Sequence, residues 1–152
     1  MNLALKIPPP IQLIICAILM VGLANFFPQY HFELALSFPV ILLLITLASV
    51  IGTLALYDFH KHKTTFHPHT PEKTSTVVDT GIYAYSRNPM YLALVLVLFA
   101  LSLYLKNITC FAIIPLFIWY ITRYQIKPEE VILDKLFPIN YQAYVKKVRR
   151  WL

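Results

Sequence analysis

Four apolar runs separated by polar breaks organise this chain. The first covers residues 11–27; Pro8, Pro9 and Pro10 precede it and Pro28 closes it. The second, residues 34–57, is long enough to cross a bilayer with some tilt. Ser37, Thr46, Ser49, Gly52 and Thr53 lie within it, small or hydroxylated residues that permit close helix packing in lipid. Residues 89–105 and 108–124 are the third and fourth runs, each short for a full crossing. Only Lys106 and Asn107 part them, which predicts a tight helical hairpin. Tyr104, Trp119, Tyr120 and Tyr124 are placed to anchor these helices at an interface. Between the second and third runs, residues 58–88 form a polar stretch rich in Thr and Pro that should be mostly irregular. A loop of that length in a compact domain is usually functional or disordered. Over residues 128–152, Val131, Ile132, Leu136, Tyr141, Tyr144 and Val148 recur at roughly helical spacing, which predicts an amphipathic segment.

Composition turns these runs into membrane spans. Hydrophobic residues make up 59% of the 152 positions and charged residues only 13%, against about a quarter charged in soluble domains. Mean hydropathy is +0.65. The expectation is a single all-α polytopic membrane domain over residues 1–152, with about four transmembrane helices and cytoplasmic C-terminal helices. The first run follows Lys6 and three prolines, with no small-residue cleavage site after it, so it is expected to be retained as a span. Net charge is +6; in so apolar a chain, basic residues serve topology and lipid headgroups rather than nucleic acid. Lys6, four Lys or Arg in the middle loop and seven from Arg123 onward fall on one side. Lys106 alone falls on the other. This split of 12 to 1 puts both termini and the large loop in the cytoplasm. Cys16 and Cys110 sit inside apolar runs without CxxC spacing and read as small buried hydrophobes.

No run contains an acid, and Arg123, at the very end of the fourth, is the one Lys or Arg within a run, which argues against an ion-coupled transporter. Polar chemistry gathers instead in cytoplasmic segments. In Thr80-Gly81-Ile82-Tyr83-Ala84-Tyr85-Ser86-Arg87-Asn88-Pro89-Met90-Tyr91, Asn88 suits an N-cap and Pro89 the first helical position. The free N–H groups of such a helix start can seat a carboxylate or phosphate, with Arg87 adding charge. The same residues also suit an ordinary interfacial helix start with Arg87 setting topology. In Lys127-Pro128-Glu129-Glu130-Val131-Ile132-Leu133, Pro128 again suits a helix start. The acid pair either complements the helix dipole or accepts hydrogen bonds from hydroxyl or ammonium groups of a ligand. His60, His62, His67 and His69 contain HxH pairs able to ligate zinc or copper. Without Cys partners, a solvated or headgroup-facing loop is the expectation, and no metal is called for.

Gly81-Ile82-Tyr83 followed by Arg87-Asn88-Pro89-Met90-Tyr91 resembles the Arg-His/Asn-Pro-x-Tyr signature of the isoprenylcysteine carboxyl methyltransferase family. Glu129-Glu130, Leu133, Phe137, Tyr141, Tyr144 and Arg149-Arg150 resemble its C-terminal signature. The likeness runs from about Pro68 to the end, roughly half the chain. It implies a membrane-embedded methyltransferase using S-adenosyl-L-methionine, with the cofactor entering from the cytosol of a bacterial cell, across its inner membrane face, and a lipophilic acceptor arriving from the bilayer. By position it implies cofactor contacts at Ser75, Thr76, Val77, Val78, Tyr83, Asn88, Pro89, Met90, Tyr91 and Glu129, to which the helix-start reading adds Arg87. Asn88 stands where many members carry His. Gln125, with Arg123 nearby, stands where the prenylcysteine enzymes place an Arg tied to the acceptor carboxylate, which makes these two the candidate acceptor contacts. An isoprenoid- or lipid-linked carboxylate would need no general base, whereas an amine or hydroxyl acceptor could use Glu130 or His69. The competing readings are a non-enzymatic membrane protein, such as a transporter subunit or assembly factor, and a histidine-loop metal handler.

Overall fold

The structure, a computed structural model, describes residues 5, 7–34, 37–61 and 77–152. The described residues form an all-helical membrane protein whose only β-type pairing is an isolated bridge between His31 and Asn107. Helix α1 spans Pro9–Phe26, α2 Ser37–Lys61 and α3 Pro89–Leu105. A fourth helical stretch, Ile108–Leu136, opens with a 3-10 turn, Ile108–Ala112, and continues as α4, Ile113–Ile121. One π-helical turn, Thr122–Ile126, joins it to α5, Lys127–Leu136. Helix α6, Pro138–Lys147, follows. The stretches Pro9–Phe26, Ser37–Lys61 and Ile108–Leu136 are each long and apolar enough to cross a membrane. The 17 residues of α3 give about 26 Å of helix, slightly short of a hydrocarbon core of about 30 Å.

The fourth helix does not stop at residue 124, and Pro128 does not start a new one. Proline lacks the N–H that would bond the carbonyl four residues back, and its ring crowds that carbonyl. The chain answers with wider winding, the Lys127 N–H reaching Thr122 O. The Tyr124 carbonyl that Pro128 cannot serve accepts instead from the Leu5 N–H at 3.0 Å, which ties the N-terminal segment across the turn. The real break comes at Phe137, with Pro138 opening α6. That break resets the helical phase, so the expected single amphipathic segment divides. Tyr141, Tyr144 and Val148 are buried, whereas Val131 and Leu136 are exposed.

Helix α3 is the hub, packed against α2, α1 and α4 and burying Tyr91, Ala93, Val95, Leu98, Ala100 and Ser102 on more than one face. Apolar contact with lipid is no worse than apolar contact with protein, so such a bundle is held by close packing. Ala48, Gly52 and Ala55 provide it on α2: both alanines are buried, and Gly52 lies opposite Ala93. Thr46 and Ser49 face outward and bond back to the carbonyls of Leu42 and Ile45 at 2.8 Å. At the far end, Lys106 takes a left-handed conformation (φ 49°) and closes the expected hairpin. The buried Asn107 donates to Phe27 O at 2.8 Å and accepts from Thr109 N and Oγ1. A second, smaller core joins Ala55, Val78, Tyr83, Tyr141, Tyr144 and Val148, docking α6 under the end of α2 and the segment before α3.

Candidate functional site

The two signature segments and the C-terminal tail meet at one end of the bundle. Asp58, buried in the last turn of α2, accepts a hydrogen bond from the Ile82 N–H at 3.0 Å. Gly81 has φ +59°, and a Cβ there would overlap the Asp58 carboxylate, so only glycine fits this turn. The turn drops Tyr83 into the small core, edge-on to Phe59 at 5.2 Å between ring centroids. The Tyr144 hydroxyl donates to the Tyr83 carbonyl at 2.7 Å. Burial pushes both phenols well above the usual tyrosine range, and burial assisted by Glu130 pushes Tyr141 up to about 12. All three remain neutral hydrogen-bonding groups at physiological pH.

Asn88 occupies the N-cap position of α3, but its side chain makes no cap. Its amide donates to the Arg150 carbonyl at 2.9 Å, while the Arg87 N–H donates to the Arg149 carbonyl at 3.0 Å. The Asn88 N–H is held by Ser86 Oγ. The C-terminal strand of chain is thus strapped along the start of α3. Arg150 closes the strap by gripping Glu130 through two hydrogen bonds, 2.9 and 2.8 Å, and this contact holds the Arg150 guanidinium above its ordinary range. Arg87 reaches the same carboxylate at 3.2 Å, and Tyr141 Oη at 3.4 Å. Its Nε is buried without a hydrogen-bond partner among the described residues.

Glu129 is held differently. Tyr91 Oη and Gln125 Nε2 both donate to its Oε1, each at 2.7 Å. No donor among the described residues reaches Oε2. The π turn contributes here, because it sets Gln125 one turn before Glu129 on the buried side. The acid pair lies in mid-helix, where first-turn dipole stabilisation does not act.

Of the residues picked out from sequence, Tyr83, Arg87, Asn88, Pro89, Met90, Tyr91, Gln125, Glu129 and Glu130 converge here. Val78 is buried and Val77 half-buried beside them. Arg123 is exposed on the outer side of the π turn. Ser75, Thr76, His62, His67 and His69 lie outside the described residues. Sequence reasoning missed Asp58, whose signal was an acid at the polar edge of an apolar run. It also missed Ser86, which carries none. Among the described residues no cluster of His, Cys, Asp and Glu could hold a metal ion.

The family model described as phospholipid methyltransferase matches residues 36–139, which include the first signature segment and the second as far as Phe137. An uncharacterized protein of Haemophilus influenzae (strain ATCC 51907 / DSM 11121 / KW20 / Rd) is 43% identical over 63 residues, 41% of this chain and 100% of that protein. No solved structure matches the chain. On the family match, which spans more than half its length, the chain belongs to the phospholipid methyltransferase family, within the isoprenylcysteine carboxyl methyltransferase-like membrane methyltransferases.

Proposed function

We propose that this membrane methyltransferase takes its methyl group from S-adenosyl-L-methionine, bound where the start of α3 meets Glu129, and passes it to a lipophilic acceptor reached through the bilayer. The observation that carries this reading is the Glu129 carboxylate, whose two donors among the described residues are both on Oε1, with Oε2 left to accept from a ligand. A carboxylate beside tyrosine rings suits a ligand that carries an ammonium, a sulfonium and ribose hydroxyls.

The residues present fit that cofactor. The Arg87 guanidinium, whose Nε has no partner among the described residues, supplies positive charge for the methionine carboxylate. The start of α3, left uncapped by the Asn88 side chain, favours negative charge through its dipole. Val77, Val78, Tyr83 and Met90 supply apolar and aromatic surface for the adenosine, with Ser75 and Thr76 completing the set by the family resemblance. When bound, the cofactor supplies a methyl group on a sulfonium, already activated toward displacement. The chain's own part is to position the reactants and exclude water. Two guanidinium groups occupy the Glu130 oxygens, which favours a positioning role for this residue over that of a base. His69 is the other candidate base for an amine or hydroxyl acceptor. Gln125 and Arg123 are the candidate acceptor contacts; Gln125 acts through Glu129.

The 12-to-1 distribution of Lys and Arg supports an orientation with both termini and this site at the cytoplasmic face of a bacterial inner membrane. Calorimetry of S-adenosylhomocysteine against detergent-purified protein tests the reading. Saturable binding at one site is expected; folded protein that gives no binding heat contradicts it.

A further inference from the structure

Two guanidinium groups share the carboxylate of Glu130, and they hold it unequally. Arg150 takes both oxygens, Nε donating to Oε1 at 2.9 Å and Nη2 to Oε2 at 2.8 Å. Such a fork is the strong form of an arginine–carboxylate pair. Arg87 makes a single, longer contact, Nη1 to Oε1 at 3.2 Å, and the same nitrogen donates to Tyr141 Oη at 3.4 Å. The three side chains grade outward: Arg87 is 11% exposed, Glu130 18% and Arg150 35%. The outermost arginine therefore neutralises Glu130. The innermost one, beside the start of α3, keeps a positive charge that this cluster does not offset.

Arg150 is held in place by more than its side chain. Its carbonyl accepts from Asn88 Nδ2 at 2.9 Å. Val148 before it is buried in the small core, and Trp151 after it packs against the main one. Little conformational freedom remains to be lost when the fork forms. We infer that Arg150 is a positioning residue for the cofactor site: by occupying both Glu130 oxygens it keeps Arg87 from closing on that carboxylate and leaves the Arg87 charge for the cofactor's own carboxylate. This rests on the cofactor reading above and extends it to a residue that acts through Arg87. Without the fork, Arg87 is the guanidinium left to Glu130 among the described residues. A largely buried carboxylate needs a partner, and Arg87 would turn to it side by side and spend its charge there.

The test is calorimetric titration of S-adenosylhomocysteine and of its decarboxylated analogue into detergent-purified wild type, Arg150→Gln and the double variant Arg150→Gln/Glu130→Gln, each with a thermal melt. Arg150→Gln should weaken S-adenosylhomocysteine roughly ten-fold, the worth of a charge-assisted contact, and leave the analogue nearly unchanged. The double variant should recover wild-type affinity, because Arg87 then has no charged partner to close on. A residue that merely clamps the tail would give no such recovery. Wild type that binds no S-adenosylhomocysteine would overturn this inference together with the cofactor reading. Where wild type binds, the inference alone is overturned by any of four results: unaltered affinity in Arg150→Gln, an equal loss of the analogue, a double variant as weak as the single one, or an Arg150→Gln that does not fold.

Discussion

Glu129→Gln separates the ligand role of this carboxylate from its structural one. The glutamine carbonyl can replace Oε1 and keep both donors, Tyr91 Oη and Gln125 Nε2, each now at 2.7 Å. Fold and membrane insertion should therefore persist. What changes is the other atom: an acceptor with no donor among the described residues becomes an N–H donor, and the charge is lost. A hydrogen bond to a charged group contributes about 1.5–3 kcal/mol, so affinity for S-adenosylhomocysteine should fall roughly ten- to hundred-fold. Calorimetry on the detergent-purified variant measures this, with a thermal melt as the control for fold. Wild-type affinity in a normally folded variant would refute the reasoning and leave Glu129 as a structural anchor for Tyr91. A variant that unfolds would show that the two donors require the ionised group.

Reporter fusions at Lys106 and at the C-terminus should give opposite signals, the C-terminus being cytoplasmic; a periplasmic C-terminus would reverse the proposed site. Arg87→Ala should weaken S-adenosylhomocysteine about ten-fold or more, from the loss of a charge-assisted hydrogen bond, and weaken its decarboxylated analogue less. Equal losses would mean that Arg87 acts only by holding Glu130 and Tyr141. Gly81→Ala should destabilise the protein by about 1–2 kcal/mol from its left-handed backbone alone, and by more because the new Cβ meets Asp58; thermal unfolding in detergent reads this, and an unshifted melt would contradict the tight turn.

The apolar runs and their prolines made the bundle legible. Pro89 does open a helix, and Lys106-Asn107 does close a hairpin, because these signals are local. Local chemistry also misled. Asn88 looks like a cap, but its amide prefers a carbonyl 62 residues away. Pro128 looks like a helix start, yet the preceding helix is held by tertiary packing and widens to pass it. The outward-facing Thr46 and Ser49 could not be told from the packed Ala48, Gly52 and Ala55 by composition, since all are small and the run is apolar on every side. The two signature segments pointed to the site, but its wiring was hidden. Glu130 with Arg150 and Asp58 with Ile82 pair across 20 and 24 residues, and no periodicity or spacing rule encodes such partners.

The central claim, methyl transfer from S-adenosyl-L-methionine to a bilayer lipid, is tested most directly by supplying purified protein with methyl-labelled cofactor and a native bacterial lipid extract, then separating the lipids. The account predicts label in a lipid-soluble product, formed by wild type and strongly reduced in Glu129→Gln. Label that stays wholly in the aqueous phase, with protein shown to be folded, would contradict it.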